Sequence, residues 1–252
     1  MPRLFCQEFP ETLVVCTTVL DRDATGIQVA CSPFFPGGGG QLADRGWVRG
    51  ADLPTQGLAV TGILPDPVGA QAWLHLAALP DAAGPAVAWP EPGTPVELTV
   101  DAPFRHMQAE LHTLAHLVNS LVFTTCNGAL LTGAQLGDDA TLRMDFDLPE
   151  VDNGVLRALA DPLRMEIQRD REIRTRFLPR HEAQSIPGLF RSKAVAPPEQ
   201  ADGQVRVVEI VGLDQQACGG THLPSTGRIR SPRIVKIENK GRHNRRIRLA
   251  VG

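Results

Sequence analysis

The stretch Leu111-His-Thr-Leu-Ala-His-Leu117 decides how the C-terminal part of the chain folds. It lies in a run of good helix formers from Phe104 to Phe123 whose apolar residues recur at helical spacing, so we predict an amphipathic helix. His112 and His116 are four residues apart, and positions i and i+4 lie on the same face of a helix. Two imidazoles placed in this way can share one metal ion, although a histidine pair on a helix is also found in structural or solvent-facing roles.

A second candidate half-site is the stretch Cys218-Gly-Gly-Thr-His222. Its glycines argue against a helix, so Cys218 and His222 would converge through a tight loop. Taken alone, this stretch fits a ligand loop and a turn with a buried thiol equally well. Because cysteine and histidine are preferred zinc ligands, the two half-sites together predict a Zn²⁺ site formed by His112, His116, Cys218 and His222.

The size and composition are those of a globular protein with one large domain or two ordinary ones. The chain has 252 residues, and no apolar run approaches the roughly 18 residues needed to span a bilayer. The first ten residues lack the features of a signal peptide, so we expect a cytoplasmic protein that makes no use of a membrane. The five cysteines are scattered without a CxxC pair, which favours ligand or buried-thiol roles over a disulfide framework.

The first hundred residues contain short β-branched or alternating segments separated by turn residues. This pattern favours a small barrel or sandwich. The helical run begins after Asp101, so we place a domain boundary near Val100, with domains 1–100 and 101–252. The predicted strands of the first domain are 12–20, 26–31, 57–64, 72–76 and 95–100.

The second domain is predicted to combine helices and strands. A helical region from about Val151 to Phe177 follows from the spacing of its leucines, with Pro162 restarting or kinking it. Alternating segments predict strands at 140–147 and 204–211. The segment 227–251 alternates apolar and basic residues across a Lys-Gly turn, so we predict a hairpin with one basic face.

The charge of this hairpin suggests a partner. From Thr226 to Gly252 the chain carries nine lysines and arginines against one acid, Glu238. Phosphate groups are contacted largely by arginine and lysine, which favours a polyanion, and a solvated surface is the ordinary alternative. The candidate nucleic-acid contacts are Arg228, Arg230, Arg233, Lys236, Lys240, Arg242, Arg245 and Arg246.

The glycine-rich loop Phe34–Gly46 is a third candidate for a functional segment. Gly37, Gly38, Gly39 and Gly40 permit backbone geometries closed to other residues, so these glycines and Gln41 are expected to touch a ligand or a second domain. The loop is not a P-loop, because no Gly-Lys-Ser/Thr follows it. A flexible turn without a binding role is the alternative.

These segments resemble the motifs of a known family. His112-Thr-Leu-Ala-His116 with Leu117 resembles the HTAxHLL motif of the alanyl-tRNA synthetase editing domain, and Cys218-Gly-Gly-Thr-His222 followed by Gly227 resembles its CGGTHxxxTG motif. The glycine loop is similar to FYPxGGGQxxDxG, which the larger free-standing alanyl-tRNA editing proteins (AlaX type) share with the synthetase. The family's Gln, LRFDF and KGxxNRRI positions are matched, in the same order, by Gln135, Leu142–Phe146 and Lys240–Ile247.

The sequence departs from the family pattern at two positions of the glycine loop. Phe35 stands where the family usually has tyrosine, and Leu42 stands where a proline is common after the glutamine. Both changes leave the four candidate ligands untouched. They put in doubt any role assigned to the missing hydroxyl.

The resemblance implies an α+β fold: a small N-terminal β-barrel domain, then an α/β two-layer editing domain with helices packed on an antiparallel sheet. It implies a zinc-dependent deacylase that hydrolyses the ester joining serine, or glycine, to the terminal adenosine of tRNA(Ala). Without a synthetase catalytic domain, such an enzyme would act in trans. A second site of this kind removes errors that a binding pocket cannot sufficiently reject.

Several alternatives stay open at this level. Four protein ligands would close a catalytic zinc site, so either His222 is displaceable or the metal only orients the substrate while a nearby water attacks. Thr113, Gln135 and Thr221 are candidates for recognising a seryl hydroxyl or holding water. Editing of another tRNA, such as that for threonine, and a non-catalytic tRNA-binding module with a structural zinc are the competing functions. The sequence does not indicate an oligomeric state.

Overall fold

The computed structural model describes residues 3–65, 72–77, 88–149, 151–193 and 202–252. Its N-terminal part begins with a short helix, α1 (Phe5–Glu8), and continues with six strands. The strands are β1 (Val14–Arg22), β2 (Gly26–Val29), β3 (Gly46–Arg49), β4 (Leu58–Pro65), β5 (Ala72–Ala77) and β6 (Pro95–Val100).

The six strands close into an antiparallel barrel in the order β1-β2-β5-β4-β3-β6. Alternate side chains of each strand point inward, which is why short alternating segments build this architecture. The interior is filled by aliphatic residues such as Ile27, Leu58, Leu74 and Leu98, none of which is exposed. Five of the strands were predicted, and β3, only four residues long, was missed.

The described residues of the C-terminal part form four helices and seven strands. The helices are α2 (Ala102–Thr125), α3 (Asn153–Arg157), α4 (Ala160–Gln168) and α5 (Arg180–Ser185), with a 3₁₀ turn at Thr226–Arg228. The strands are β7 (Leu131–Leu136), β8 (Thr141–Asp147), β9 (Ile173–Pro179), β10 (Gln204–Ile210), β11 (Asp214–Ala217), β12 (Pro232–Lys240) and β13 (Asn244–Val251). They form two antiparallel sheets, β11-β10-β9 and β12-β13-β8-β7.

Helix α2 is the centre of this part. Leu111, Leu114 and Leu117 are fully buried in one core with inward-facing residues of β8 and β13, including Met144 and Leu249. The helix was predicted to be amphipathic, but it is buried on all sides from Gln108 to Ser120. Its polar side chains in this stretch are therefore enclosed, and each of them needs a partner or a ligand.

One helix prediction was wrong. The region predicted as helical from Val151 to Phe177 is α3 and α4 followed by a strand, β9, because Asp170 adopts a positive φ of 46° that ends the helical path. The residues after it then pair in register with β10. Pro162 lies in the first turn of α4, where its missing N–H costs nothing, so it restarts the helix.

The α+β class is confirmed by the barrel, the two antiparallel sheets and the helices. The chain separates into two compact units: Met1–Gly37, Ala43–Arg105 and Gln200–Asp202 form the first, and Gly38–Leu42, His106–Glu199 and Gly203–Gly252 form the second. Compactness does not test independent folding, so the domain division near Val100 stays a prediction. Within the described residues, no helix has the length and apolar character required to cross a membrane.

Candidate metal centre

Helix α2 supplies the first two candidate ligands. His112 and His116 are each 6% exposed, and their rings meet edge to face with centroids 5.3 Å apart. The predicted helical spacing therefore places both imidazoles on one face of a buried helix. His116 Nδ1 is buried and has no hydrogen-bond partner among the described residues.

The loop after β11 supplies the other two. It is attached to β10, because the Cys218 N–H donates to the carbonyl of Arg206 at 3.0 Å. The buried Arg206 guanidinium donates in turn to the carbonyls of Cys218 (3.0 Å) and Gly220 (2.8 Å). A Cβ at Gly220 would lie 2.2 Å from His112 Cε1, so only glycine lets the loop approach the helix this closely.

The four predicted ligand side chains converge. Cys218 Sγ lies 3.3 Å from His112 Nε2 and 3.5 Å from His222 Nε2. The donor atoms of His112, His116, Cys218 and His222 all lie within 4.8 Å of one another. The rings of His112 and His116 each have their centroid 4.5 Å from that of His222.

Two of the donor separations match those of a tetrahedral metal ion. With Zn–N of about 2.0 Å and Zn–S of about 2.3 Å, neighbouring ligand atoms in a tetrahedron are roughly 3.3–3.6 Å apart. The two sulfur–nitrogen distances, 3.3 and 3.5 Å, match this separation. Among the described residues, no hydrogen-bond partner meets the buried Nδ1 of His116, and such an unpaired nitrogen is costly unless a ligand satisfies it. The cluster could therefore hold a metal ion.

The electrostatics favour the ligating protonation states. Burial alone would raise the pKa of the Cys218 thiol, but the adjacent imidazoles of His112 and His116 lower that pKa well below its usual value. Burial, together with the same two imidazoles, lowers the pKa of His222 well below its usual value. A thiolate beside a neutral imidazole is the form that binds a metal.

The three residues predicted to contact substrate or water occupy different environments. Thr113 Oγ1 donates to the carbonyl of Ala109 at 2.8 Å, accepts from the N–H of Leu223 at 3.0 Å and lies 3.4 Å from His222 Nδ1. Thr221 is 2% exposed, and its hydroxyl accepts a hydrogen bond from Gln41. Gln135 is exposed on the edge strand β7, opposite Arg143 of β8 and on the face of the sheet away from the core.

The glycine loop forms a tight turn in which Gly37, Gly38, Gly39 and Gly40 all have positive φ. Within the second unit, Gly38 and Gln41 exchange two backbone hydrogen bonds of 3.0 and 3.1 Å. The Gly40 carbonyl accepts from the N–H of Leu136 at 2.8 Å, which attaches the turn to the edge of β7. Gln41 Oε1 then lies 2.8 Å from His112 Nδ1.

Replacing Gly40 by alanine is expected to lower the free energy of unfolding by about 2–5 kcal/mol, more than the same change at Gly39. Their φ angles are +91° and +62°, a region that costs other residues about 1–2 kcal/mol. Only at Gly40 would the new Cβ overlap backbone, 2.5 Å from the Ala134 carbonyl oxygen, which adds about 1–3 kcal/mol. Urea unfolding followed by far-UV circular dichroism measures both variants. Equal losses would contradict the close packing of the turn on β7.

The residues predicted to contact nucleic acid fall into two groups: those that have an acidic partner or are buried, and those that are exposed without one. Arg230 forms a bidentate ion pair with the fully buried Glu110 of α2, at 2.7–3.1 Å, and Arg245 is buried. Arg246 pairs with Asp145. Lys236 and Lys240 lie near Glu238, Arg228 lies near Asp170, and Arg233 and Arg242 are exposed without an ion pair among the described residues. Their contacts with nucleic acid stay predictions.

The sequence did not reveal several residues that hold the centre in place. Asn119 of α2 donates to Gln216 Oε1 at 2.8 Å, and Gln216 Nε2 donates to the carbonyl of His116 at 3.0 Å. Arg206 and Glu110 are buried and paired as described above. One sequence signal could have indicated these residues. Helix α2 carries several polar residues, and each polar residue on a buried helix requires a partner.

Comparisons with known proteins find a family model and several relatives that are similar to this chain. A family model described as "Threonyl and Alanyl tRNA synthetase second additional domain" matches residues 205–248, which include most of β10 and the Cys218 loop. Proteins named "Alanyl-tRNA editing protein AlaX-M" from Saccharolobus solfataricus and Methanosarcina acetivorans are each 34% identical, over 149 and 147 residues. These matches cover 59% and 58% of this chain and 61% and 58% of the relatives.

A longer match involves a different kind of protein. The alanine–tRNA ligase of Arabidopsis thaliana chloroplasts and mitochondria is 26% identical over 230 residues, which cover 88% of this chain but 22% of the ligase. The chain spans about three fifths of the length of the AlaX-M relatives that it matches. The resemblance to alanyl-tRNA editing proteins, inferred from the motifs, is confirmed by these relatives.

Proposed function

We propose that this protein is a zinc-dependent deacylase that hydrolyses the ester of serine, or of glycine, mistakenly attached to tRNA(Ala). The observation that carries the proposal is the convergence of His112, His116, Cys218 and His222 from two distant segments into one set of donor atoms. The relatives named as alanyl-tRNA editing proteins support the reaction class. A synthetase pocket cannot sufficiently reject an amino acid that nearly matches the correct one, so a second site must remove the error. The bond to be hydrolysed there is the ester that joins the wrong amino acid to the tRNA.

The four side chains would hold zinc, which when bound polarises a carbonyl or lowers the pKa of a water molecule. Thr113 is better suited to orient His222 than to bind substrate. A hydroxyl has one donor and two acceptor positions, and those of Thr113 are occupied by Ala109, Leu223 and His222. We assign contact with the seryl hydroxyl to Thr221, whose side chain lies on the ligand loop, and Gln135 stays a prediction.

The acceptor end of tRNA(Ala) is the proposed partner. Exposed arginines without a carboxylate partner are the best candidates for phosphate contacts, because they do not have to break an ion pair. Arg233 and Arg242 meet this condition in the described part of the chain, whereas Arg228 is exposed but lies near Asp170. Arg230 is the weakest candidate, since removing it from Glu110 would leave a buried carboxylate unpaired.

A non-catalytic tRNA-binding protein with a structural zinc is the second candidate. One observation favours it: all four ligand positions come from protein side chains, the number found in closed structural sites. Editing of a threonyl tRNA is a further alternative, which the wording of the family description includes. Zinc analysis combined with deacylation assays separates these functions.

The purified protein is expected to contain about one zinc per chain, the stoichiometry of a single tetrahedral site. It should release serine from Ser-tRNA(Ala) and leave Ala-tRNA(Ala) intact, because the pocket must distinguish the additional hydroxyl. Elemental analysis and single-turnover deacylation of radiolabelled aminoacyl-tRNAs measure the two properties. Gly-tRNA(Ala) and a mischarged threonine tRNA belong in the same series.

Each outcome identifies one of the functions. If removing zinc unfolds the protein and no aminoacyl-tRNA is hydrolysed faster than in buffer, the structural-zinc module is correct. If a mischarged threonine tRNA is hydrolysed preferentially, that tRNA and not tRNA(Ala) is the substrate. Full deacylation of Ser-tRNA(Ala) by protein that contains no metal would contradict the zinc-dependent mechanism.

A further inference from the structure

Gln41 connects the glycine loop to both halves of the metal centre, and all three parts belong to the same compact unit. Its Oε1 lies 2.8 Å from His112 Nδ1 and accepts a hydrogen bond of 3.0 Å from the backbone N–H of Thr221. Its Nε2 donates to the hydroxyl of Thr221 at 2.8 Å. The side chain is 3% exposed, so no water competes for these three interactions.

The backbone N–H of Thr221 fixes which way the Gln41 amide points. A peptide N–H can only donate, so the atom facing it must be the amide oxygen and not the NH₂ group. The same oxygen faces His112 Nδ1, and an oxygen without a hydrogen can only accept. His112 must therefore carry a proton on Nδ1, and in the neutral imidazole this leaves Nε2 with a free lone pair. That Nε2 is the atom 3.3 Å from Cys218 Sγ.

We propose that Gln41 is a positioning residue of the metal centre: it holds His112 in the Nδ1–H tautomer and fastens the ligand loop to helix α2. The inference rests on the metal site of the proposed function and deepens it. A ligating histidine commonly donates its second N–H to an oxygen acceptor that sets its tautomer and ring orientation. Here a glutamine amide performs that role, supplied from a segment 71 residues before His112 in the sequence.

The glycines beside Gln41 make this arrangement possible. The close approach of Gly40 to the Ala134 carbonyl places the turn against β7, and Gln41 is the next residue. Gly220 faces it from the ligand loop, where a Cβ would lie 2.8 Å from Gln41 Oε1. The two glycine-containing motifs of the sequence therefore meet at one amide group. The glycine loop would in this way support the metal centre, although it contributes none of the four donor atoms.

Three variants separate the tautomer role from a general loss of structure. Gln41→Met keeps the volume of the side chain but removes all of its hydrogen bonds. Gln41→Glu keeps an oxygen acceptor for His112 Nδ1 and for the N–H of Thr221, while the Thr221 hydroxyl can rotate to donate. Gln108→Met is the matched control, because Gln108 is a buried glutamine that anchors the same loop through the N–H of Leu42 (3.1 Å) and the Gly137 carbonyl (2.7 Å).

The first measurement is NMR of the full-length protein as purified, labelled with ¹⁵N-histidine. The wild type and Gln41→Glu should show a slowly exchanging proton on His112 Nδ1, and Gln108→Met should retain it. In Gln41→Met this signal should disappear or exchange rapidly, because the acceptor is gone. The signal is expected with or without bound zinc, so a protein that lacks zinc or deacylase activity still tests the assignment of Gln41.

The second measurement is zinc affinity by competition with a chelator. Loss of a group that orients a metal ligand typically weakens binding by about 10–100-fold, and we expect this for Gln41→Met. Gln41→Glu should bind zinc about as tightly as the wild type. The proposal would be overturned by a proton on His112 Nε2 in the wild type, or by equal losses in Gln41→Met and Gln108→Met. A Gln41→Glu variant as impaired as Gln41→Met would overturn it as well.

Discussion

The His116→Ala variant is expected to lose its bound zinc and, with it, deacylase activity. Zinc binding by four protein ligands contributes about 10–16 kcal/mol, so the share of one ligand, about 3 kcal/mol, corresponds to a loss of roughly 10²-fold in affinity. His116 is 6% exposed and belongs to the set of four convergent donors, so replacing it by alanine removes one of the four donor atoms. Chelator competition and single-turnover deacylation measure the two losses.

The control for this variant lies on the same helix. His106 is exposed and is not part of the donor set, so His106→Ala should keep the zinc content and the deacylation rate of the wild type. Far-UV circular dichroism of both variants shows whether α2 is still formed. If His116→Ala retained zinc and full activity while remaining folded, the assignment of the metal centre would be wrong.

The convergence of His112, His116, Cys218 and His222 could be predicted because its information is local. Four-residue spacing on a helix and a cysteine and histidine in a glycine-containing loop each restrict the geometry before the fold is known. The structure adds what joins them. The contact between Gln41 and His112 depends on a turn in a segment far away in the sequence, and no spacing rule relates the two. The tautomer of His112 therefore follows only from the folded coordinates.

The barrel and the central helix were predicted for a similar reason, and β9 shows where this approach fails. The segment from Arg171 to Phe177 contains three arginines and one glutamate between its apolar residues, a composition that suits an exposed helix face. It forms an edge strand of the three-stranded sheet instead, where one side of the backbone has no partner strand. The intrinsic conformational preference of the residues is a weak guide at such an edge. Pairing with β10 decides that the segment is a strand.

Helix α2 was predicted from its periodicity to be amphipathic, with its apolar face packed inward. Burial of the helix from Gln108 to Ser120 corrects that prediction. Glu110, for example, is fully enclosed and is neutralised by Arg230, which the sequence had offered as a phosphate contact. A hydrophobic pattern shows which residues avoid water but not which polar residues are covered later by loops and a second sheet. That missing information accounts for the partners that sequence reasoning overlooked.

The Arg105→Met variant is expected to lower the free energy of unfolding of the barrel unit by about 3–5 kcal/mol. Arg105 and Asp44 form an ion pair whose side chains are 5% and 0% exposed. Arg105 Nε donates to both carboxylate oxygens at 2.9 and 3.0 Å, and Nη2 also donates to the Pro33 carbonyl at 2.8 Å. Without the guanidinium, the Asp44 carboxylate would be buried with the Phe35 N–H, at 2.6 Å, as its remaining donor.

The effect can be read from the barrel unit alone. All three tryptophans, Trp47, Trp73 and Trp89, belong to that unit, so their fluorescence during urea unfolding follows it selectively. The control is Arg22→Met, which breaks the ion pair of Arg22 with Glu91 in the same unit, where the side chains are 36% and 68% exposed. An exposed pair contributes at most about 1 kcal/mol, so this variant should change the unfolding midpoint little.

A double variant separates the cost of an unpaired charge from the contribution of the pair. Arg105→Met with Asp44→Leu removes both charges, and replacing a buried ion pair by apolar residues is often neutral, so part of the lost stability should return. The Phe35 N–H would lose its acceptor, which keeps the recovery incomplete. A single Arg105→Met variant as stable as the wild type would show that Asp44 is solvated or protonated in solution. In that case the ion pair would not be what fixes the segment between Pro33 and Asp44.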